Sequence, residues 1–235
     1  MRKSPILPGK QPAPAAKLDL FATSHSTHRL SRTAVVVDGF VYRLLLAIPV
    51  SAPPEGGFPI LYLLDGNAAF DLIDAPQLSR AAGLVLAGIA HDTDLRFDPP
   101  SRSRDYTPAA DGPPLRPDPE RPDRLIGGAD LFLDRLLGPL RAHAESGLAI
   151  DPARRAIFGH SLAGMFGLYT LLTRPGAFSR IAVASPSIWW RDKFMLALER
   201  QAPASPLPHD VLVTLGDSER RSSAAGPHWD GPEIG

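Results

Sequence analysis

The chain has 235 residues, and its 25 lysine and arginine side chains are matched by 25 aspartates and glutamates, so the formal charge is zero. That balance removes the long-range field that gathers nucleic acid or anionic lipid, while 44% hydrophobic against 21% charged residues supplies a core and excludes a disordered chain. Cysteine is absent, which excludes disulfides, thiolate metal sites and a cysteine nucleophile.

Residues 1–17 read as a proline-rich leader in which Arg2, Lys3, Lys10 and Lys17 alternate with Pro5, Pro8, Pro12 and Pro14. It holds no continuous apolar stretch of the kind a secretory signal needs. The longest apolar stretch, residues 40–50, is broken by Arg43 and falls short of the ~18 residues of a membrane-spanning helix. A soluble, cytoplasmic protein without membrane or nucleic-acid partners is the expectation.

Residues 34–37 and 41–48 read as two strands around Asp38-Gly39, a dipeptide suited to a tight hairpin turn. Residues 58–64 form an apolar run ending in Asp65-Gly66-Asn67, residues 68–78 are helical in character, and residues 84–90 form a second apolar run. Apolar runs separated by helices suit parallel strands covered on both faces. Between His91 and Leu125 eight prolines, from Pro99 to Pro122, are expected to prevent regular helix or central strand, leaving a loop excursion over the site. The alternation then resumes: helix 129–146, strand 156–158, helix 162–173, strand 181–184, helix 192–200 and strand 211–215. The pattern is α/β, a doubly wound and mostly parallel sheet with an antiparallel N-terminal strand pair.

The sharpest chemical signal is Gly159-His160-Ser161-Leu162-Ala163, where a strand turns through a serine into a helix. Such a nucleophile elbow needs small residues two positions to either side of the serine, and Gly159 and Ala163 meet that need. The Leu162 N–H, at the helix start, can then stabilise an oxyanion. The plainer alternative is a serine capping an ordinary helix. His160 is adjacent in sequence, and its side chain diverges from the serine's on such a turn. In the loop after residues 58–64, Gly66 or Asn67 is the candidate for the second oxyanion N–H, against the alternative of a plain Asp-Gly turn.

Five blocks in order resemble the esterase-D type branch of the α/β-hydrolases, which includes siderophore trilactone esterases acting on enterobactin-like macrolactones. They are Tyr62-Leu63-Leu64-Asp65-Gly66-Asn67, Arg102-Ser103-Arg104-Asp105-Tyr106-Thr107-Pro108, Gly127-Gly128-Ala129-Asp130, Gly159-His160-Ser161-Leu162, and Ala184-Ser185-Pro186-Ser187-Ile188-Trp189-Trp190. The resemblance covers roughly residues 20–219. It implies an α/β-hydrolase domain over residues 18–219 and an ester substrate, with Ser161 as nucleophile and Leu162 with the Gly66-Asn67 loop as oxyanion hole. Arg102 or Arg104 would line the pocket, and Trp189 and Trp190 would border an aromatic group. The alternatives are a solvated loop for the arginines and core packing for at least one tryptophan.

Two departures stand out. Ala163 takes the place of the elbow's usual second glycine. Beyond the strand 211–215, Asp217 or Glu219 is placed to be the acid, but residues 220–235 read as an irregular tail without an apolar run, so the family's last strand, helix and His-Gly block are missing. His228 is the histidine left to act as base. A shortened family member follows as the expectation, either a serine esterase working through an acyl-enzyme or an impaired hydrolase fold that retains a binding pocket. No dinucleotide fingerprint, phosphate-binding loop or complete metal-ligand spacing is present, His25 and His28 included, so no cofactor or metal is implied.

Overall fold

The computed structural model describes residues 14–110, 112–202 and 210–216. The first two strands, β1 (His28–Val37) and β2 (Phe40–Pro49), form the expected hairpin. Its turn works because Asp38 and Gly39 both take positive φ, +49° and +79°, which matches the right-handed twist of the strands they join. Next come β3 (Phe58–Leu64), α1 (Gly66–Leu72), α2 (Ala75–Arg80) and β4 (Val85–His91). The single helix expected over 68–78 is thus two. Asp74 breaks it by capping a new helix: it accepts from the Gln77 N–H while Gln77 bonds back to the Asp74 N–H.

The stretch expected to lack regular structure contains α3 (Pro99–Tyr106) and a small hairpin of β5 (Arg116–Asp118) and β6 (Arg121–Ile126). Pro99 and Pro100 start the helix rather than prevent it, because a first-turn residue has no intrahelical N–H bond to lose. After α4 (Ala129–Arg135) the helix is interrupted over Leu136–Leu140, at Gly138-Pro139, before α5 (Arg141–Glu145). The chain continues through β7 (Ile150–His160), α6 (Leu162–Thr173), β8 (Arg180–Ala184), α7 (Trp190–Gln201) and β9 (Asp210–Thr214).

Seven strands form one sheet in the order β1-β2-β4-β3-β7-β8-β9, antiparallel at β1-β2 and β2-β4 and parallel from β4 to β9. Alternate side chains feed two cores. Tyr62 and Leu64 of β3 join one face with Phe132, Phe166 and Phe178, whereas Leu63 joins the other with Phe70 and Leu78. Both faces are therefore covered, which is why the strands read as nearly continuous apolar runs. Among the described residues no helix is long and apolar enough to cross a membrane. The parallel register also sets the carboxyl ends of β3, β7, β8 and β9 side by side along one edge. In a doubly wound sheet that edge is where ligands bind.

Candidate active site

One residue, Ser161, separates β7 from α6, and its backbone lies at φ +58°, ψ −116°, a region costing a residue with a Cβ about 1–3 kcal/mol. Its neighbours hold it there. The Ser161 N–H donates to the Ala184 carbonyl at 2.9 Å, and the Ser161 carbonyl accepts from the N–H groups of Met165 at 2.9 Å and Ser187 at 3.1 Å. The turn is so tight that a Cβ on Gly159 would sit 2.3 Å from the Ala163 carbonyl oxygen, so only glycine fits. The Ala163 methyl is accommodated, fully buried, on the helix side. This strand, strained serine and helix are the geometry a nucleophile elbow requires.

Beside it, β3 ends at Leu64, and Asp65, also left-handed at φ +52°, stands between it and the start of α1. Gly66 follows with its Cα packed against β4, where an added Cβ would lie 2.7 Å from the Gly88 carbonyl carbon. The register of Leu63 with Phe158 places this turn next to the elbow. Helix geometry leaves the first N–H groups of α1 and α6, those of Gly66, Asn67 and Leu162, without intrahelical acceptors. The Asn67 side chain is otherwise engaged: its amide donates to the carbonyls of Thr93 at 2.7 Å and Leu95 at 3.0 Å, so its backbone alone is the oxyanion candidate.

Arg102 and Arg104 are two apart on α3 and so project about 200° apart around the helix. Arg102 faces the elbow. Its Nε donates to both Asp65 carboxylate oxygens at 2.9 and 3.0 Å, its Nη2 donates to the His160 carbonyl at 3.3 Å, and the guanidinium lies over the rings of Phe97 and Tyr106. Arg104, expected at the pocket, is instead committed to Asp105 by two bonds of 2.7 and 2.8 Å, over the Phe40 ring. Asp105 is fully buried and also accepts from Tyr42 and bonds His91 Nε2, each at 3.0 Å. Burial opposes its charge, but the bonds from Arg104 and His91 outweigh burial and hold the carboxyl below the usual aspartate range. Burial first, and Asp105 second, pushes the Tyr42 hydroxyl far above the usual tyrosine range.

Ser187, which the sequence reading passed over, has its Oγ 3.2 Å from Ser161 Oγ and is 4% exposed. The available signal was its place just after β8, the strand next to β7. Trp189, two residues on, is 60% exposed, while Trp190 packs edge-on against Phe194. Arg191 and Asp118 pair at 2.8 Å, tying the β5-β6 hairpin to the start of α7. Asp217, Glu219 and His228 lie outside the described residues. Of the described histidines, His160 is exposed beside Ser161 and His91 belongs to the Asp105 cluster. Two clefts of about 260 and 310 Å³ share Leu18, Arg32, Arg43 and Asn67 by the N-terminal strands, and neither is lined by Ser161 or Arg102. Among the described residues no group of three or more His, Asp or Glu side chains is placed to hold a metal ion.

Comparison with known proteins agrees with this geometry. The Esterase family model matches residues 125–225. The chain is 37% identical over 195 residues to the ferri-bacillibactin esterase BesA of Bacillus subtilis, covering 76% of this chain and 66% of that protein. It is 39% identical over 150 residues to an apo-salmochelin esterase of Escherichia coli O6:H1, covering 63% and 47%. The chain therefore spans about half to two thirds of the length of these curated relatives. Among solved structures, the enterobactin and salmochelin hydrolase IroE superposes with a TM-score of 0.66 at 32% identity, covering 80% of this chain and 73% of that one. With its mostly parallel α/β-hydrolase sheet, the chain belongs to the esterase family, in the branch of the siderophore esterases.

Proposed function

We propose that the protein is a serine ester hydrolase that opens siderophore-type macrolactone esters through an acyl-enzyme on Ser161. The observation that carries this reading is the strained Ser161 backbone, held by Ala184, Met165 and Ser187 at the carboxyl edge of the sheet. Strain of this kind persists only where the surroundings over-determine it, and here it holds Ser161 at the start of α6, beside the turn that opens α1. The relatives whose names specify bacillibactin, salmochelin and enterobactin supply the substrate class.

In this mechanism Ser161 Oγ attacks the ester carbonyl and its proton passes to a histidine base, for which His228 is the candidate, oriented by Asp217 or Glu219. The Leu162 N–H and an N–H of Gly66 or Asn67 receive the negative charge that develops on the carbonyl oxygen. The alcohol leaves with the proton from the histidine, and water reverses the sequence to free the acid. Arg102 holds the oxyanion loop, and Trp189, exposed beyond Ser187, would border an aromatic group of the substrate.

The test is turnover of a cyclic catechoyl-serine trilactone and of p-nitrophenyl acetate by the purified chain and by Ser161→Ala. Hydrolysis of both by the parent, and loss of both in the variant, is the expected result. A folded parent that binds the trilactone without cleaving either ester would instead mean a hydrolase fold that retains only its pocket.

A further inference from the structure

We propose that Ser187 is a further catalytic residue, whose hydroxyl donates a hydrogen bond to Ser161 Oγ and so fixes the nucleophile's rotamer and steadies the charge it develops. The proposal rests on the reading of Ser161 as the nucleophile. Its footing is the 3.2 Å contact between the two Oγ atoms together with the burial of Ser187.

The direction of the bond follows from burial. A hydroxyl carries one proton and needs somewhere to place it, and a buried donor left without a partner is costly. Ser187 is 4% exposed, and among the described residues Ser161 Oγ is the partner its side chain has. Ser161 is only half-buried, at the sheet edge, so its own proton can point toward solvent and a base. The Ser187 proton therefore goes to Ser161, leaving the Ser161 proton for the base. The Ser187 backbone reinforces the arrangement, because its N–H bonds the Ser161 carbonyl at 3.1 Å and fixes the distance between the residues independently of the side chain.

In the reaction the base removes the Ser161 proton while Oγ forms its bond to the carbonyl carbon, and the Ser187 proton stays on Ser187. A hydrogen bond to an oxygen gaining negative charge is stronger than one to a neutral hydroxyl, so the contact favours the transition state over the resting state. The same bond assists when Oγ departs from the acyl group during deacylation.

The experiment compares the second-order rate of phosphonylation by a fluorophosphonate, followed by intact mass, in the full chain and in Ser187→Ala, Ser187→Thr and Ser161→Ala, each with a melting curve. Ser187→Ala is expected to react slower by on the order of tenfold at a melting temperature close to the parent's, Ser187→Thr to recover most of the rate, and Ser161→Ala not to react. With p-nitrophenyl acetate the loss should appear in kcat with KM unmoved. A parent rate, or a faster one, in Ser187→Ala overturns the proposal while leaving Ser161 as nucleophile. Equal slowing in the alanine and threonine variants assigns the effect to packing and also overturns it. A parent that does not react, or a Ser161→Ala variant that does, overturns both this proposal and the nucleophile reading.

Discussion

Arg102 grips Asp65 through a single nitrogen, with Nε 2.9 and 3.0 Å from the two carboxylate oxygens, and its Nη2 reaches on to the His160 carbonyl. One side chain thereby joins the turn after β3 to the elbow after β7. Asp65 is buried and left-handed, and its N–H is bonded by the Tyr106 hydroxyl at 3.3 Å, so α3 supports this turn at two points.

This clasp predicts how Arg102 variants fail. Lysine keeps the charge but not the planar fork, so Arg102→Lys should lower kcat by about tenfold on a small neutral ester while KM stays within about twofold. An arginine whose role is to bind an anionic substrate would behave otherwise, raising KM for that substrate and leaving the neutral ester untouched. Steady-state kinetics on both esters separates the two.

The elbow's strain is measurable as stability. Ser161→Gly relieves the positive φ, whereas Ser161→Ala keeps a Cβ and the strain with it. The glycine variant should therefore be more stable than the alanine variant by about 1 kcal/mol, although both lose the Ser161 hydroxyl. Gly159→Ala should do the reverse, costing about 2–4 kcal/mol, because its Cβ meets backbone at 2.3 Å. Denaturant titration of the three variants checks the order, and an alanine variant as stable as the glycine one would contradict the strain.

Asp105 makes stability depend on pH with a definite sign. Its folded carboxyl lies below the ordinary 3.8, so its contribution is present above that pH and is lost as the pH falls through the lower folded value. Asp105→Asn leaves Arg104 and His91 facing a neutral amide, and should cost about 3 kcal/mol near neutrality. The gap between parent and variant should close as the pH drops below 3.8. Urea titrations at pH 7 and pH 3 test this, and a gap that widens in acid would contradict it.

What the sequence disclosed was local. Asp38-Gly39 gave the hairpin, the apolar run 58–64 matches β3, and residues 162–173 match α6, since turn chemistry and periodicity act over a few neighbours. The same locality made the strand-serine-helix turn at Ser161 readable. It failed where an element's start reverses a residue's usual meaning, as with Pro99 and Pro100 opening α3. It failed again where the partner is remote: Arg102 and Asp65 are 37 residues apart, and Ser187 and Ser161 are 26 apart. The parallel pairing of β7 with β8 brings Ser187 to Ser161, and the packing of α3 beside the turn after β3 brings Arg102 to Asp65; no periodicity records either. That Arg102 and Arg104 face apart follows from α3, which the prolines hid, and which of them faces the elbow depends on Asp65 and Asp105.

Whether Ser161 is the nucleophile is tested by identifying the residue that a fluorophosphonate modifies in the purified, folded chain. Proteolysis and mass spectrometry should place one adduct on the peptide holding Gly159-His160-Ser161-Leu162, with none formed in Ser161→Ala. An adduct on another residue, or no adduct on a chain with a cooperative melting transition, would contradict it.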